Sequence, residues 1–291
     1  MKEGKGARMK IEKIYLKDVY NVLGEDNRNP SLIAYLADNS SQIEKNRKHP
    51  GVIICPGGAY IALSDRESEA VALYFLNLGF QAFVLNYSVS PHTYPAQLLE
   101  ISAAVAYVRT RAEEFYVDTD KIFTCGFSAG GHLAGCSGVF WKKDIIYEKL
   151  PIEYGQGRPN GIILCYSVVS GDIYCERINS FDYLIGDKEN KKLYEELSLQ
   201  NGVDNTTPPM FIWHTNTDQT VPVMSAIILA QALIKAGVDY ELHIFGNGPH
   251  GLSLCNHVTA SSQTPQYYND YVAHWKELLE NWLRSEFNII L

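Results

Sequence analysis

The chain has 291 residues, 46% of them hydrophobic and 20% charged, with a formal net charge of -8. This length and balance suit one large globular domain, taken here as 1–291, and exclude disordered and fibrous classes. The acidic charge argues against nucleic acid as a partner, because phosphate backbones are held mainly by clustered Lys and Arg.

Residues 1–13 are basic and glycine-dotted but lack the apolar core of a signal peptide, and no later apolar run is long enough for a bilayer. A cytoplasmic protein with no membrane partner is expected. Residues 10–20 and 31–38 run or alternate apolar over strand length across a turn-rich 24–30, which predicts an antiparallel pair. Residues 51–55 form a nearly all-apolar run ending in Pro56-Gly57-Gly58, the pattern of a strand covered on both faces. Ser64 and Glu67 have capping-box spacing, and the apolar positions from Ala70 to Leu78 recur at helical spacing. Buried strands are then expected at 80–86, 121–126, 161–167, 210–215 and 240–245, with helices at 95–115, 128–140, 222–237 and 267–284.

Eight strands alternating with helices specify an α/β fold with a mostly parallel, doubly wound sheet. Residues 141–160 and 171–209 break the rhythm and are expected to add a small partial cap or one wall of a pocket. The six cysteines are widely spaced, without the close pairs of a zinc site, and read as reduced, buried thiols.

Chemistry concentrates in Gly126-Phe127-Ser128-Ala129-Gly130, set between a strand and a helix. In that context the motif is a nucleophile elbow, with the Ser128 hydroxyl exposed at the strand's carboxyl end. A serine hydroxyl needs a base in reach and a third group to orient that base. Asp218 follows the strand at 210–215, and His250 lies in the glycine-rich loop after the strand at 240–245, giving the order Ser, Asp, His. The oxyanion of acyl transfer requires amide donors: Ala129 supplies one, and Gly58 or Ala59 the other.

Other residues compete for these roles. Asp172 is the rival acid. His132, one helical turn after Ser128, reads as a packing or hydrogen-bonding residue, and His214 as a support for the Asp218 loop. Tyr60 and His92 are the expected substrate contacts. Neither a metal motif nor a nucleotide loop appears, so no cofactor and no metal is expected.

Four stretches carry a family resemblance: Pro56-Gly57-Gly58-Ala59-Tyr60, Gly126 through His132, Pro208 through Pro222, and Gly248-Pro249-His250-Gly251. In their order and spacing the chain resembles the esterase branch of the α/β-hydrolases, with acetyl esterases, acetylxylan esterase-like proteins and related carbohydrate esterases. Pro56 stands where relatives often carry a histidine and Ala59 where they carry a third glycine, so the second oxyanion donor is open between Gly58 and Ala59. The resemblance implies serine ester hydrolysis of a short acyl group, acetyl first, from a small molecule such as an acetylated sugar or xylo-oligosaccharide. An amidase- or peptidase-type hydrolase using the same machinery, formamidase-like for example, is the alternative, and a silent binding protein of the same fold is a further one.

Overall fold

In the computed structural model, which describes residues 9–172 and 174–291, eight strands form one sheet. The basic stretch read at 1–13 falls, up to residue 8, outside the described residues. The strands are β1 (Lys10–Tyr15), β2 (Ser31–Leu36), β3 (His49–Cys55), β4 (Gln81–Asn86), β5 (Val117–Phe127), β6 (Gly161–Cys165), β7 (Met210–Thr215) and β8 (Tyr240–Phe245). Their order is β1-β2-β4-β3-β5-β6-β7-β8. The β1/β2 and β2/β4 pairs are antiparallel, and every pairing from β4 through β8 is parallel.

Helices α1 (Glu69–Asn77), α2 (Ala96–Thr110), α3 (Ala112–Phe115), α4 (Ser128–Val139) and α5 (Asp144–Lys149) come from the first half of the chain. The second half adds α6 (Ser180–Ile185), α7 (Lys191–Leu197), α8 (Leu199–Gly202), α9 (Met224–Ala236), α10 (Asp270–Ala273) and α11 (Trp275–Phe287). Because successive side chains on a strand point to opposite faces, the central strands feed two cores. Ile53 and Cys55 of β3 face α2, α4 and α9 through Ala103, Leu133 and Leu229. Val52 and Ile54 face α1 and α11 through Val71, Phe75, Trp275 and Leu279. This burial on both faces is why these strands are continuous apolar runs. All six cysteines lie buried as unbridged thiols.

The chain reverses its direction of travel across the sheet between β3, which leads outward to β4, and β5 on its other side. Cys55 pairs with Gly126 in register, so the loops leaving β3 and β5 start side by side at the carboxyl edge, where α/β sheets place their sites.

Some expectations need correction. Residues 10–20 are not one strand: β1 stops at Tyr15 and a 3₁₀ turn follows at Leu16–Asp18. The capping box at Ser64 and Glu67 does not form. The α-helix starts at Glu69, no side chain caps it, and Glu67 turns inward to 3% exposure. Of the expected stretch 141–160, residues 153–160 do not lie at the carboxyl edge. They return to the opposite edge, where the Gln156 carbonyl accepts from Arg109 and the Asn160 side chain accepts from the Ile122 amide. Among the described residues no helix is long and apolar enough to cross a membrane.

Candidate active site

The turn from β5 into α4 places Ser128 at φ +53°, a left-handed conformation that non-glycine residues rarely adopt. The surrounding backbone over-determines it. A Cβ on Gly126 would collide with the Gly130 carbonyl, and one on Gly130 with the carbonyls of Cys55 and Pro56. Only glycines allow this approach, which turns Ser128 out at the helix N-terminus; strain of this kind is characteristic of functional sites.

Around Ser128 the structure gathers residues far apart in sequence. His250 Nε2 lies 2.8 Å from Ser128 Oγ, and His250 Nδ1 lies 2.7 Å from Asp218 Oδ2. An ionised carboxylate only accepts hydrogen bonds, so Nδ1 carries the proton and Nε2 is left to accept from the serine hydroxyl. The other carboxylate oxygen, Oδ1, accepts from the amides of Thr220 at 2.8 Å and Val221 at 3.0 Å. Burial opposes ionisation of Asp218. It is outweighed by His214, whose Nε2 lies 3.6 Å from Oδ2, and by the hydrogen bonds from His250 and the Val221 amide, which together hold the carboxyl far below the usual carboxylate range.

The loops bearing these residues are stitched together. Thr215 Oγ1 donates to the Gly248 carbonyl at 2.8 Å, and the Gly248 amide donates to Thr217 Oγ1 at 2.9 Å. His214 donates from Nε2 to the Val221 carbonyl at 2.8 Å, closing the turn that carries Asp218.

The loop after β3 is pinned at four points. Tyr87 donates to the Pro56 carbonyl at 2.6 Å, and the Gly57 amide donates to Glu67 Oε2 at 2.8 Å. The Ser90 amide donates to the Tyr60 carbonyl at 2.7 Å, and Tyr60 hydroxyl meets His132 Nδ1 at 2.7 Å. Gly58 at φ +134° and Ala59 at φ +54° complete the turn. Among the described residues, the amides of Gly58 and Ala59 make no intramolecular hydrogen bond. The Ala129 amide, in the first turn of α4, has no partner within its helix. Three donors therefore border the Ser128 elbow.

Tyr60 and His92 are placed differently from their expected roles. The Tyr60 ring is fully buried, with no surface to offer a ligand. It anchors its loop to α4 instead. His132, which donates from Nε2 to the Leu197 carbonyl at 2.8 Å, must accept from Tyr60 at Nδ1 and is neutral; burial lowers it to about 4. Phe181 packs edge-on against the same imidazole, one of the places where residues 171–209 reach the helix, with Leu199 against Gly135 as another. His92 lines a cavity of about 390 Å³ with Arg28, Tyr94 and Lys149, whose walls include none of Ser128, Asp218 and His250. The rival acid Asp172 caps its own turn, accepting from the Tyr174 amide at 2.8 Å.

Two participants in this architecture escaped the sequence reading. Tyr166, just past β6 and at φ +38°, packs its ring edge-on against His250 with centroids 5.0 Å apart. Its hydroxyl donates to Glu67 Oε1 at 2.7 Å. The signal for Glu67 was its position just after the glycine loop, which the capping-box spacing disguised.

Comparison with known proteins identifies relatives of the chain as a whole. A family profile described as BD-FAE matches residues 38–233. The chain is 33% identical over 253 residues to endo-1,4-beta-xylanase B of Butyrivibrio fibrisolvens, covering 84% of this chain and 38% of that protein. It is 30% identical over 265 residues to an acetylxylan esterase of Xylanibacter ruminicola, covering 89% and 49%. The chain thus spans half or less of the length of these two relatives. Among solved structures, an acetyl ester-xyloside bifunctional hydrolase from Caldicellulosiruptor lactoaceticus superposes with a TM-score of 0.81 at 36% identity, covering 96% of this chain and 97% of that one. A carboxylesterase from Lactobacillus plantarum superposes with a TM-score of 0.83 at 27% identity, covering 98% and 99%.

Proposed function

The chain belongs to the BD-FAE family of α/β-hydrolases, and on that premise we propose that it is a serine carboxylic-ester hydrolase releasing short acyl groups, acetyl above all, from sugars or xylo-oligosaccharides. The observation that carries this reading is the His250 imidazole set between Ser128 and Asp218 at 2.8 and 2.7 Å, beside the unused amides of Gly58 and Ala59. The acetylxylan esterase and the acetyl ester-xyloside hydrolase among its relatives support the substrate class.

In the mechanism, Ser128 Oγ attacks the ester carbonyl while its proton passes to His250 Nε2. The tetrahedral oxyanion is held by the Ala129 amide and by that of Gly58 or Ala59, and the ionised Asp218 stabilises the imidazolium. His250 returns the proton to the leaving alkoxide, and an acyl-Ser128 remains. Water, deprotonated by the same imidazole, attacks that ester, and the acid leaves with Ser128 restored. The chemistry needs no cofactor or metal. We place the protein in the cytoplasm, acting on imported fragments rather than intact polymer.

A p-nitrophenyl ester series from acetate to octanoate tests the acyl preference. Turnover confined to the short chains and lost in Ser128→Ala is expected. Preference for octanoate contradicts the acetyl assignment, and a folded wild type that cleaves amides but no ester contradicts the reaction class.

A further inference from the structure

We propose that Glu67 is a positioning residue that couples the loop bearing Gly58 and Ala59 to the loop bearing His250, acting through Tyr166. The inference rests on the esterase reading above, because it gives those two loops their roles. The carboxylate is buried, and its two oxygens serve different loops: Oε2 accepts from the Gly57 amide at 2.8 Å, and Oε1 accepts from the Tyr166 hydroxyl at 2.7 Å. The same hydroxyl accepts from the Ser253 amide at 2.9 Å, three residues beyond His250. The connection is therefore continuous, from Gly57 amide to carboxylate to phenol to Ser253 amide. The ring that carries the phenol also forms an edge contact with the His250 imidazole.

Two further features show that this link is built rather than incidental. Tyr166 is held at φ +38°, a strained conformation with its amide tied to the Trp213 carbonyl at 2.8 Å. Gly57 approaches so closely that a Cβ there would sit 2.7 Å from Glu67 Oε2 and 3.0 Å from Ser128 Cβ, so the carboxylate and the serine both crowd the same side of Gly57. Drawing the Gly57 amide inward sets the direction of the next two amides. Burial, reinforced by the Glu67 charge, pushes the Tyr166 phenol well up, so it remains a donor. A separate stitch, Ser253 Oγ donating to the Arg66 carbonyl at 2.6 Å, keeps the two segments adjacent without Glu67. Removing the carboxylate should thus loosen alignment without detaching the loops.

Glu67→Gln leaves one acceptor where two are needed. With p-nitrophenyl acetate, kcat should fall by about tenfold to a hundredfold while KM changes by less than about twofold, because amide alignment acts on the transition state. Affinity for a phenylboronic acid, which forms a tetrahedral adduct with the serine, should fall in parallel with kcat; a merely structural role would not produce that parallel. Tyr166→Phe should give a similar loss, and the double variant should be no worse than the larger single loss, since both cut one chain. Unchanged kcat in folded Glu67→Gln, or additive losses, overturns the coupling. If Glu67→Gln does not fold, Tyr166→Phe alone decides between the same outcomes. If wild type hydrolyses no ester, the esterase reading fails by itself, and hydrogen exchange then tests the coupling: faster exchange in both 57–63 and 250–255 of Glu67→Gln supports it, and a change confined to 57–63 overturns it.

Discussion

Two buried groups at the carboxyl edge of the sheet push the stability of this protein in opposite directions as pH changes, and one substitution separates them. Glu100, fully buried in α2, accepts from the Ser88 amide at 2.6 Å and the Ser88 hydroxyl at 2.5 Å, with Arg28 3.9 Å away. Burial outweighs these partners and raises its carboxyl to about 7, against an ordinary 4.5. A raised folded-state value means that its stabilising contribution is complete below about 4.5 and is lost as pH rises through 7. Burial lowers His132 to about 4 from 6.5, so its contribution is complete above 6.5 and is lost as pH falls through 4. At about 1.4 kcal/mol per pKa unit, each group carries on the order of 3 kcal/mol across its window. Between about 4.5 and 6.5 the two largely offset.

Glu100→Gln retains a carbonyl acceptor for the Ser88 amide and removes the titration. Its stability relative to wild type should rise by about 2–4 kcal/mol between pH 4.5 and 7.5, a difference from which His132 and the other buried carboxyl pushed up by burial, Glu176, cancel. Urea denaturation followed by tryptophan fluorescence, at fixed ionic strength, reads this difference. Parallel stability curves for the two proteins over that range would show that Glu100 does not titrate there.

Three further perturbations probe the site. Asp218→Asn should leave the fold intact but favour the wrong imidazole tautomer, lowering kcat by about a thousandfold or more with little change in KM; a loss under tenfold on p-nitrophenyl acetate would remove Asp218 from its proposed role. Tyr60→Phe strands His132 Nδ1 without its donor in a buried site, which should cost about 1–3 kcal/mol in urea denaturation. An unchanged midpoint would show that Nδ1 finds another donor. Gly130→Ala drives a methyl into the Cys55 and Pro56 carbonyls and should cost about 3 kcal/mol or abolish soluble expression, whereas wild-type stability would mean the elbow relaxes freely.

The legible parts of the fold were those governed by continuous burial. The central runs of β3 through β7 announce themselves because two covered faces demand apolar residues there, as in Val52–Ile53–Ile54–Cys55, whereas β8 at the sheet edge is only half-buried. The elbow was legible because its close approach admits glycine alone at positions 126 and 130. Ser128, Asp218 and His250 stood out by following strands into loops, and the structure brings them within hydrogen-bond distance. Less legible were residues whose meaning depends on a distant partner. Glu67 shows capping spacing locally, but Tyr166, 99 residues on, and the Gly57 amide draw it inward and displace the helix start to Glu69. Tyr60 sits beside the glycine loop, yet His132 claims its hydroxyl and the core claims its ring. No local pattern distinguishes a tyrosine that faces a substrate from one folded beneath it.

In the proposed reaction Ser128 becomes covalently acylated because His250 takes its proton. Brief incubation with p-nitrophenyl acetate, an acid quench and peptide mass spectrometry test it directly. An acetyl group is expected on the peptide containing Ser128 in wild type, absent in His250→Ala. Acetate release by wild type with no label on that peptide, or equal labelling in His250→Ala, would contradict it.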